Sequence, residues 1–122
     1  MVKGDLVAVY GSLRMGMGNH RVIEGAELKG TGEVTGWDLF SLGAYPFILQ
    51  GDNSLVVEVY EVDSEARQQR LDMLEGYPSY YDRVKIDTEF GEAWIYFMHG
   101  DDNGTSPLVE SGDWVKFKKG EV

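Results

Sequence analysis

Two short motifs put reactive groups beside backbone that can bind an anion. The first is Val9-Tyr10-Gly11-Ser12-Leu13-Arg14, which continues the apolar run from Leu6 to Val9. A buried strand running into a glycine turn gathers a phenol, a hydroxyl and successive amides. Gly11 has no Cβ, so a ligand can approach its backbone closely. Successive N–H groups in such a turn form a small anion-binding concavity. The second motif is Leu71-Asp72-Met73-Leu74-Glu75-Gly76-Tyr77-Pro78, followed closely by Tyr81-Asp82-Arg83. Glu75 falls at the expected C-terminus of a helix, facing the negative end of its dipole. Asp72, three residues earlier, adds a like charge. Each effect disfavours ionisation by a few tenths of about 1 kcal/mol at an exposed site. The apolar and aromatic neighbours Leu74, Tyr77, Tyr80 and Tyr81 add desolvation. A carboxyl raised in this way suits general acid–base catalysis near neutral pH. Taken alone, this segment still favours the plainer reading of an exposed glutamate at a helix end.

Other chemistries find less support. His20 and His99 are far apart in sequence and have no third ligand at metal spacing, which argues against zinc. Ser12 lacks the second glycine of a Gly-x-Ser-x-Gly elbow, and a Ser12–His–Asp triad has no support from spacing. No Gly-Lys-Ser/Thr follows Gly11 to Gly16, so a phosphate loop is excluded. The chain has no cysteine, hence no disulfide, thiol nucleophile or thiolate metal site. Tyr60, Trp94, Tyr96 and Trp114 read most simply as core or strand-surface residues. Tyr10 and Tyr81 flank the two motifs and are the better pocket walls. Arg83 reads as one half of a structural ion pair.

Eleven basic against twenty-one acidic residues give a net charge of −10. Binding to a phosphate backbone needs clustered Lys and Arg. The only basic cluster is Lys116, Lys118 and Lys119, so nucleic acid is not an expected partner. No apolar run is long enough to span a bilayer, and Met1 to Asp5 shows no signal-peptide pattern. A cytoplasmic protein without a membrane partner is therefore expected. The sequence does not set an oligomeric state.

The elements that would position these groups make one domain, residues 1–122, with one core. Leu6 to Tyr10 is a continuous apolar run, expected as a strand buried on both faces. Arg14 to Asn19 is an expected loop and His20 to Leu28 a short helix. Strands are expected over Glu33 to Leu42, interrupted at Gly36, then Phe47 to Leu49 and Leu55 to Val62, with a turn at Gly51-Asp52-Asn53. Asp63 or Ser64 caps a helix running to about Glu75, with Gly76 as its C′ residue and Pro78 blocking continuation. Ala66, Leu71 and Leu74 are expected to face the core while Arg67, Gln68 and Asp72 stay wet. Tyr80 to Phe90 and Glu92 to Met98 form a hairpin turning at Gly91. A loop at His99 to Ser106 and a final turn plus strand over Ser111 to Phe117 complete the chain. This pattern predicts an α+β fold dominated by antiparallel or mixed strands.

The motifs Tyr10-Gly11-Ser12-Leu13, Tyr45-Pro46, Leu71-Asp72-x-Leu74-Glu75-Gly76, Tyr81-x-Arg83 and Ser111-Gly112-Asp113-Trp114 occur in this order along nearly the whole chain. In that order they resemble the gamma-glutamylcyclotransferase-like family, at the short length of its gamma-glutamylamine cyclotransferase-like branch. The resemblance implies a small mixed β-barrel with flanking helices. It implies a pocket formed by Tyr10, Gly11, Ser12, Leu13, Tyr45 and Tyr81, with Glu75 in the position of the catalytic glutamate. It further implies a small gamma-glutamyl substrate, 5-oxoproline as product, and no metal or organic cofactor. A non-catalytic module that binds a small anion in the same pocket, or a protein-interaction module, is the alternative.

Overall fold

The computed structural model describes residues 2–77, 79, 81–98 and 106–120. Five strands form one sheet: β1 (Leu6–Val9), β2 (Leu28–Ser41), β3 (Pro46–Glu61), β4 (Asp82–Thr88) and β5 (Gly91–Phe97), in spatial order β2-β3-β1-β5-β4. β1 runs antiparallel to β3 and parallel to β5; the β2/β3 and β4/β5 pairs are antiparallel. A helix, α1 (Glu65–Glu75), follows β3, and a one-turn-plus helix, α2 (Trp114–Lys118), comes last.

β1 is central, with a strand on each side. Val7 and Val9 enter one apolar cluster with Leu71 of α1, whereas Ala8 enters the other with Trp114 of α2. That is why its sequence is continuously apolar rather than alternating.

The expected barrel is not what forms. The sheet is open, because β2 and β4 share no hydrogen-bonded ladder. The sheet nonetheless curls until its far ends touch through side chains. Phe90, in the β4/β5 turn, lies so close to β2 that a Cβ on Gly30 would fall 2.4 Å from its ring. Side chains filling this gap keep the edge backbones from pairing.

Several other expectations change for identifiable reasons. The strand expected to break at Gly36 is continuous. Gly36 has φ +93° and sits at the register shift between Thr35 and Trp37, where the long hairpin absorbs an irregularity. The Gly51-Asp52-Asn53 turn signal is overridden by cross-strand pairing, with Trp37 opposite Gln50 and Thr35 opposite Ser54. Asp38 Oδ1 accepts from the Asn53 backbone N–H at 3.2 Å and from its Nδ2 at 2.7 Å, so the polar residues are satisfied inside the hairpin. The helix expected over His20 to Leu28 is only a 3-10 turn, His20–Val22, and Leu28 already begins β2. The final strand is instead α2, capped by Asp113, whose side chain accepts from Lys116 N–H. Its Trp114 and Phe117 rings stack at 5.4 Å, a helical i,i+3 pair. All but Ser106 of the expected His99–Ser106 loop, together with Pro78 and Tyr80, lies outside the described residues.

Gly112, two residues before α2, is set by sterics. Its φ is +68°, and a Cβ would lie 2.0 Å from the Ser54 carbonyl oxygen. Its own carbonyl accepts from Val56 N–H at 2.9 Å, so it cannot retreat without losing a bond to β3. Gly112→Ala should therefore lower the melting temperature, by a margin that reflects about 2–4 kcal/mol from overpacking and left-handed strain combined. An unchanged thermal unfolding curve would contradict this.

Candidate active site

α1 delivers Glu75. The Ser64 hydroxyl caps its start by accepting from Arg67 N–H at 3.1 Å. Gly76, at φ +66°, closes its end, with Tyr77 N–H donating to the Asp72 carbonyl at 2.9 Å. Only Leu71 of the three expected apolar contacts is buried; Ala66 is exposed and Leu74 is 40% exposed. The helix docks largely through polar bonds instead. Arg67 Nη1 donates to the carbonyls of Val22 and Glu24, both at 2.9 Å. Asp72, expected to be wet, is largely buried. It pairs with Arg83 Nη1 at 3.0 and 3.1 Å and accepts from the Tyr96 hydroxyl at 2.7 Å and from Gln68 Nε2. The Arg83 guanidinium lies over the rings of Tyr77 and Trp94. The structural ion pair expected of Arg83 is thus present, and it fixes the last turn of α1 to β4 and β5.

β1 delivers the other side. The chain leaves β1 at Tyr10 and turns sharply. Every carbonyl of the turn is occupied: Gly11 O accepts from Arg14 N–H, Ser12 O from Asn19 N–H, and Arg14 O from Met17 N–H. Leu13 O meets His20 Nδ1 at 2.9 Å. Among the described residues, the amides of Gly11, Ser12 and Leu13 donate to no acceptor. The turn is therefore sorted by polarity, with its acceptors tied down and its donors unpaired.

A cavity of about 320 Å³ lies between these two elements. Tyr10, Gly11, Ser12, Leu13, Tyr45, Glu75 and Tyr81, all seven residues singled out in the sequence, line it together. Its size suits a small metabolite. Tyr10 donates to the Tyr96 carbonyl at 2.9 Å and Tyr81 to the Pro46 carbonyl at 2.6 Å, so both phenols are rigid walls. Burial, with the charges of Glu75 and Tyr81 adding to it, holds the Tyr10 phenol well above its usual range. Gly11 is needed for a reason the sequence did not show. A Cβ there would lie 2.5 Å from Pro46 Cγ, so the proline of β3 fills the space above it.

Burial pushes the Glu75 carboxyl up to about 7. Desolvation is the cause. The helix end and Asp72 add at most tenths of about 1 kcal/mol, and Asp72 is already paired with Arg83.

Sequence reasoning did not assign to the pocket six further lining residues: Ala8, Val9, Asn19, Pro46, Leu74 and Tyr96. Asn19 Nδ2 donates to Ser12 Oγ at 3.0 Å. It also missed the anchor of the turn. Arg14 is 7% and Glu58 5% exposed, and Arg14 Nε bonds Glu58 Oε2 at 2.9 Å. Arg14 Nη1 bonds Asp113 Oδ1 at 2.8 Å, while Glu58 Oε1 accepts from Met15 N–H at 2.9 Å and from the Tyr60 hydroxyl at 2.8 Å. A signal for it existed: Glu58 is the one acid inside the apolar run Leu55 to Tyr60, and a buried acid demands a partner. Among the described residues, no group of three or more His, Asp or Glu side chains is placed to hold a metal ion. No described helix is long and apolar enough to cross a membrane.

Comparison with known proteins is consistent along the chain. The family model described as gamma-glutamyl cyclotransferase, AIG2-like, matches residues 7–116. A Vibrio cholerae protein provisionally named a gamma-glutamylcyclotransferase is 43% identical over 91% of this chain and 96% of its own. The gamma-glutamylcyclotransferase family protein YtfP of Escherichia coli is 38% identical over 89% of this chain and 95% of its own. Among solved structures, an uncharacterized protein of Pyrococcus horikoshii superposes with a TM-score of 0.82 at 31% identity, covering 95% of this chain and 94% of that one. A mouse AIG2-like protein gives 0.74 at 25% identity, covering 88% of this chain and 87% of that one.

Proposed function

The chain belongs to the gamma-glutamyl cyclotransferase, AIG2-like family, and from that premise we propose that it cyclises a gamma-glutamyl compound, releasing 5-oxoproline and an amine or amino acid, with Glu75 as general acid and base. The observation that carries this reading is a desolvated carboxyl, at about 7, sharing one small cavity with a turn of unpaired amides.

The substrate carries its own nucleophile, an α-amine that is protonated at neutral pH. Glu75 takes one proton from that ammonium. The freed amine attacks the γ-carbonyl, forming the new C–N bond of a five-membered ring and a tetrahedral oxyanion. Holding the chain folded makes this step effectively intramolecular and fast. The ring nitrogen gives up its second proton to solvent, collapse breaks the original C–N bond, and Glu75 returns its proton to the leaving amine. The Gly11, Ser12 and Leu13 amides hold the α-carboxylate and support the oxyanion. Tyr10, Tyr45 and Tyr81 wall the folded glutamyl chain.

Magnitudes favour a raised carboxyl as the base. An α-ammonium loses its proton near about 8, whereas an ordinary glutamate sits near about 4.3, a mismatch of about 5 kcal/mol. At about 7 the mismatch falls to about 1.4 kcal/mol. A pure anion binder gains nothing from a carboxyl in its cavity, which weighs against the binding-module alternative.

The test is incubation with a panel of gamma-glutamyl amides and peptides, with 5-oxoproline read by mass spectrometry. On the best substrate, kcat/KM should climb about tenfold per pH unit below 7, because only ionised Glu75 accepts the proton, and fall again above about 8 as the substrate ammonium titrates. A profile already flat from pH 5.5 would exclude Glu75 as the titrating base. Absence of 5-oxoproline from every substrate would refute the cyclotransferase reading itself.

A further inference from the structure

The turn after β1 is unusual in that its four consecutive carbonyls, Gly11 to Arg14, are all engaged, and three of the bonds are local backbone ones. The exception is Leu13, whose carbonyl is met by a side chain, His20 Nδ1, at 2.9 Å. A carbonyl can only accept, so this contact requires the proton on Nδ1. His20 in turn packs on the Tyr60 ring, 6.0 Å between centroids, and the Tyr60 hydroxyl donates to Glu58, the anchor of Arg14. The histidine thus joins the turn to the buried network around Glu58. His20 does not line the cavity.

We propose that His20 is a positioning residue for the anion-binding turn: by fixing the Leu13 carbonyl on the outside, it keeps the Gly11, Ser12 and Leu13 amides turned into the cavity. A peptide plane is rigid. The Leu13 carbonyl shares its plane with Arg14 N–H, so His20 and the Arg14-to-Gly11 bond hold one plane from its two ends, and with it ψ at Leu13 and the three planes before it. With the His20 tether lost, one bond alone restrains that plane and the Leu13 carbonyl can tilt toward the cavity, where an acceptor dipole would repel the carboxylate that the amides attract. Preorganised donors are worth more than donors that must be reoriented at each binding event. This inference deepens the proposed function, since it concerns the same site. It requires only that the turn bind a carboxylate, not that the protein cyclise anything.

The experiment compares His20→Asn with His20→Gln. Asparagine places its amide N–H₂ near where Nδ1 sits, whereas glutamine places its own near Nε2. Each variant is titrated with 5-oxoproline by amide NMR, following the Gly11, Ser12 and Leu13 signals, and its melting temperature is recorded. His20→Gln should weaken binding by about fivefold to tenfold, the worth of one neutral hydrogen bond. His20→Asn should stay within about twofold of wild type on the same grounds. Ring ¹⁵N shifts of wild type should show the neutral imidazole protonated at Nδ1. A neutral ring protonated at Nε2 would overturn the proposal, because Leu13 O would then face a lone pair. So would equal weakening in both variants that tracks a loss of melting temperature, which would mark His20 as merely structural, or wild-type affinity in both. If wild type binds 5-oxoproline at the turn but converts no gamma-glutamyl substrate, the cyclotransferase reading fails, while selective weakening in His20→Gln still establishes the role of His20. If 5-oxoproline leaves the three amides unmoved, the role of His20 fails as well.

Discussion

Glu75→Gln should reduce 5-oxoproline formation by about 10²- to 10⁴-fold, the usual worth of a general acid–base group, and at the same time make the protein more stable above neutral pH. Glutamine keeps the size and hydrogen-bonding capacity of the side chain but cannot carry the proton. The stability gain follows from linkage. The folded-state pKa is raised to about 7 by burial, while an unfolded glutamate titrates near about 4.3. Between these values the folded chain holds a proton that the unfolded chain has lost. Stability therefore falls as pH rises through this window, and above about 7 the full cost of a buried charge is present. Glutamine removes that cost, worth about 1–3 kcal/mol after allowing for partial exposure. Urea denaturation at pH 5 and pH 8 reads this directly. Wild type should be less stable at pH 8 relative to the variant, and the two should converge toward pH 5. A variant that retains most of the wild-type rate would remove Glu75 from the mechanism. One that is equally or less stable at pH 8 would show that burial does not strain this carboxyl.

Arg14→Met should have the largest effect on stability, about 3–5 kcal/mol, because it leaves Glu58 buried without its cation. For a domain whose total is about 5–15 kcal/mol, that is a large share. It corresponds to a fall in melting temperature of roughly 10–20 °C. The Glu58 carboxylate would keep its bonds from Met15 N–H and the Tyr60 hydroxyl, and Asp113 would keep its cap on Lys116. What is lost is the charge that made their burial tolerable. Arg14→Met with Glu58→Leu should therefore cost less than Arg14→Met alone, even though it removes more polar contacts. A double-mutant cycle by thermal denaturation decides the matter. Simple additivity would mean that the two residues act independently and that the 2.9 Å pair is energetically unimportant.

Where each feature was decided differs along the chain, and the difference has a physical pattern. Local chemistry settled α1: Ser64 as N-cap and Gly76 in the left-handed region act within a few residues of themselves, so the sequence carries their effect. The same holds for β1, whose unbroken apolar run already implied cover on both faces. The order of the motifs along the chain was enough to reveal the family. Features that depend on distant partners were not legible in this way. Gly51-Asp52-Asn53 has the composition of a turn, but the pairing of its flanks, Gln50 and Ser54, with β2 holds it inside β3 as an irregularity in the hairpin. The edges of the sheet stay open because Phe90 packs against Gly30, a contact between segments sixty residues apart. The Ser111 to Phe117 segment reads as a turn plus strand, yet the Asp113 cap and the fit of Trp114 into the core make Trp114–Lys118 a helix. The site divides along the same line. Residue types and spacing marked Glu75 and the Tyr10 to Leu13 turn as chemical groups. The proton affinity of Glu75 is raised further than helix dipole and neighbouring acid can raise it, since these are local effects worth tenths of about 1 kcal/mol. It came from removal of water, and only tertiary packing sets the dielectric around a carboxyl.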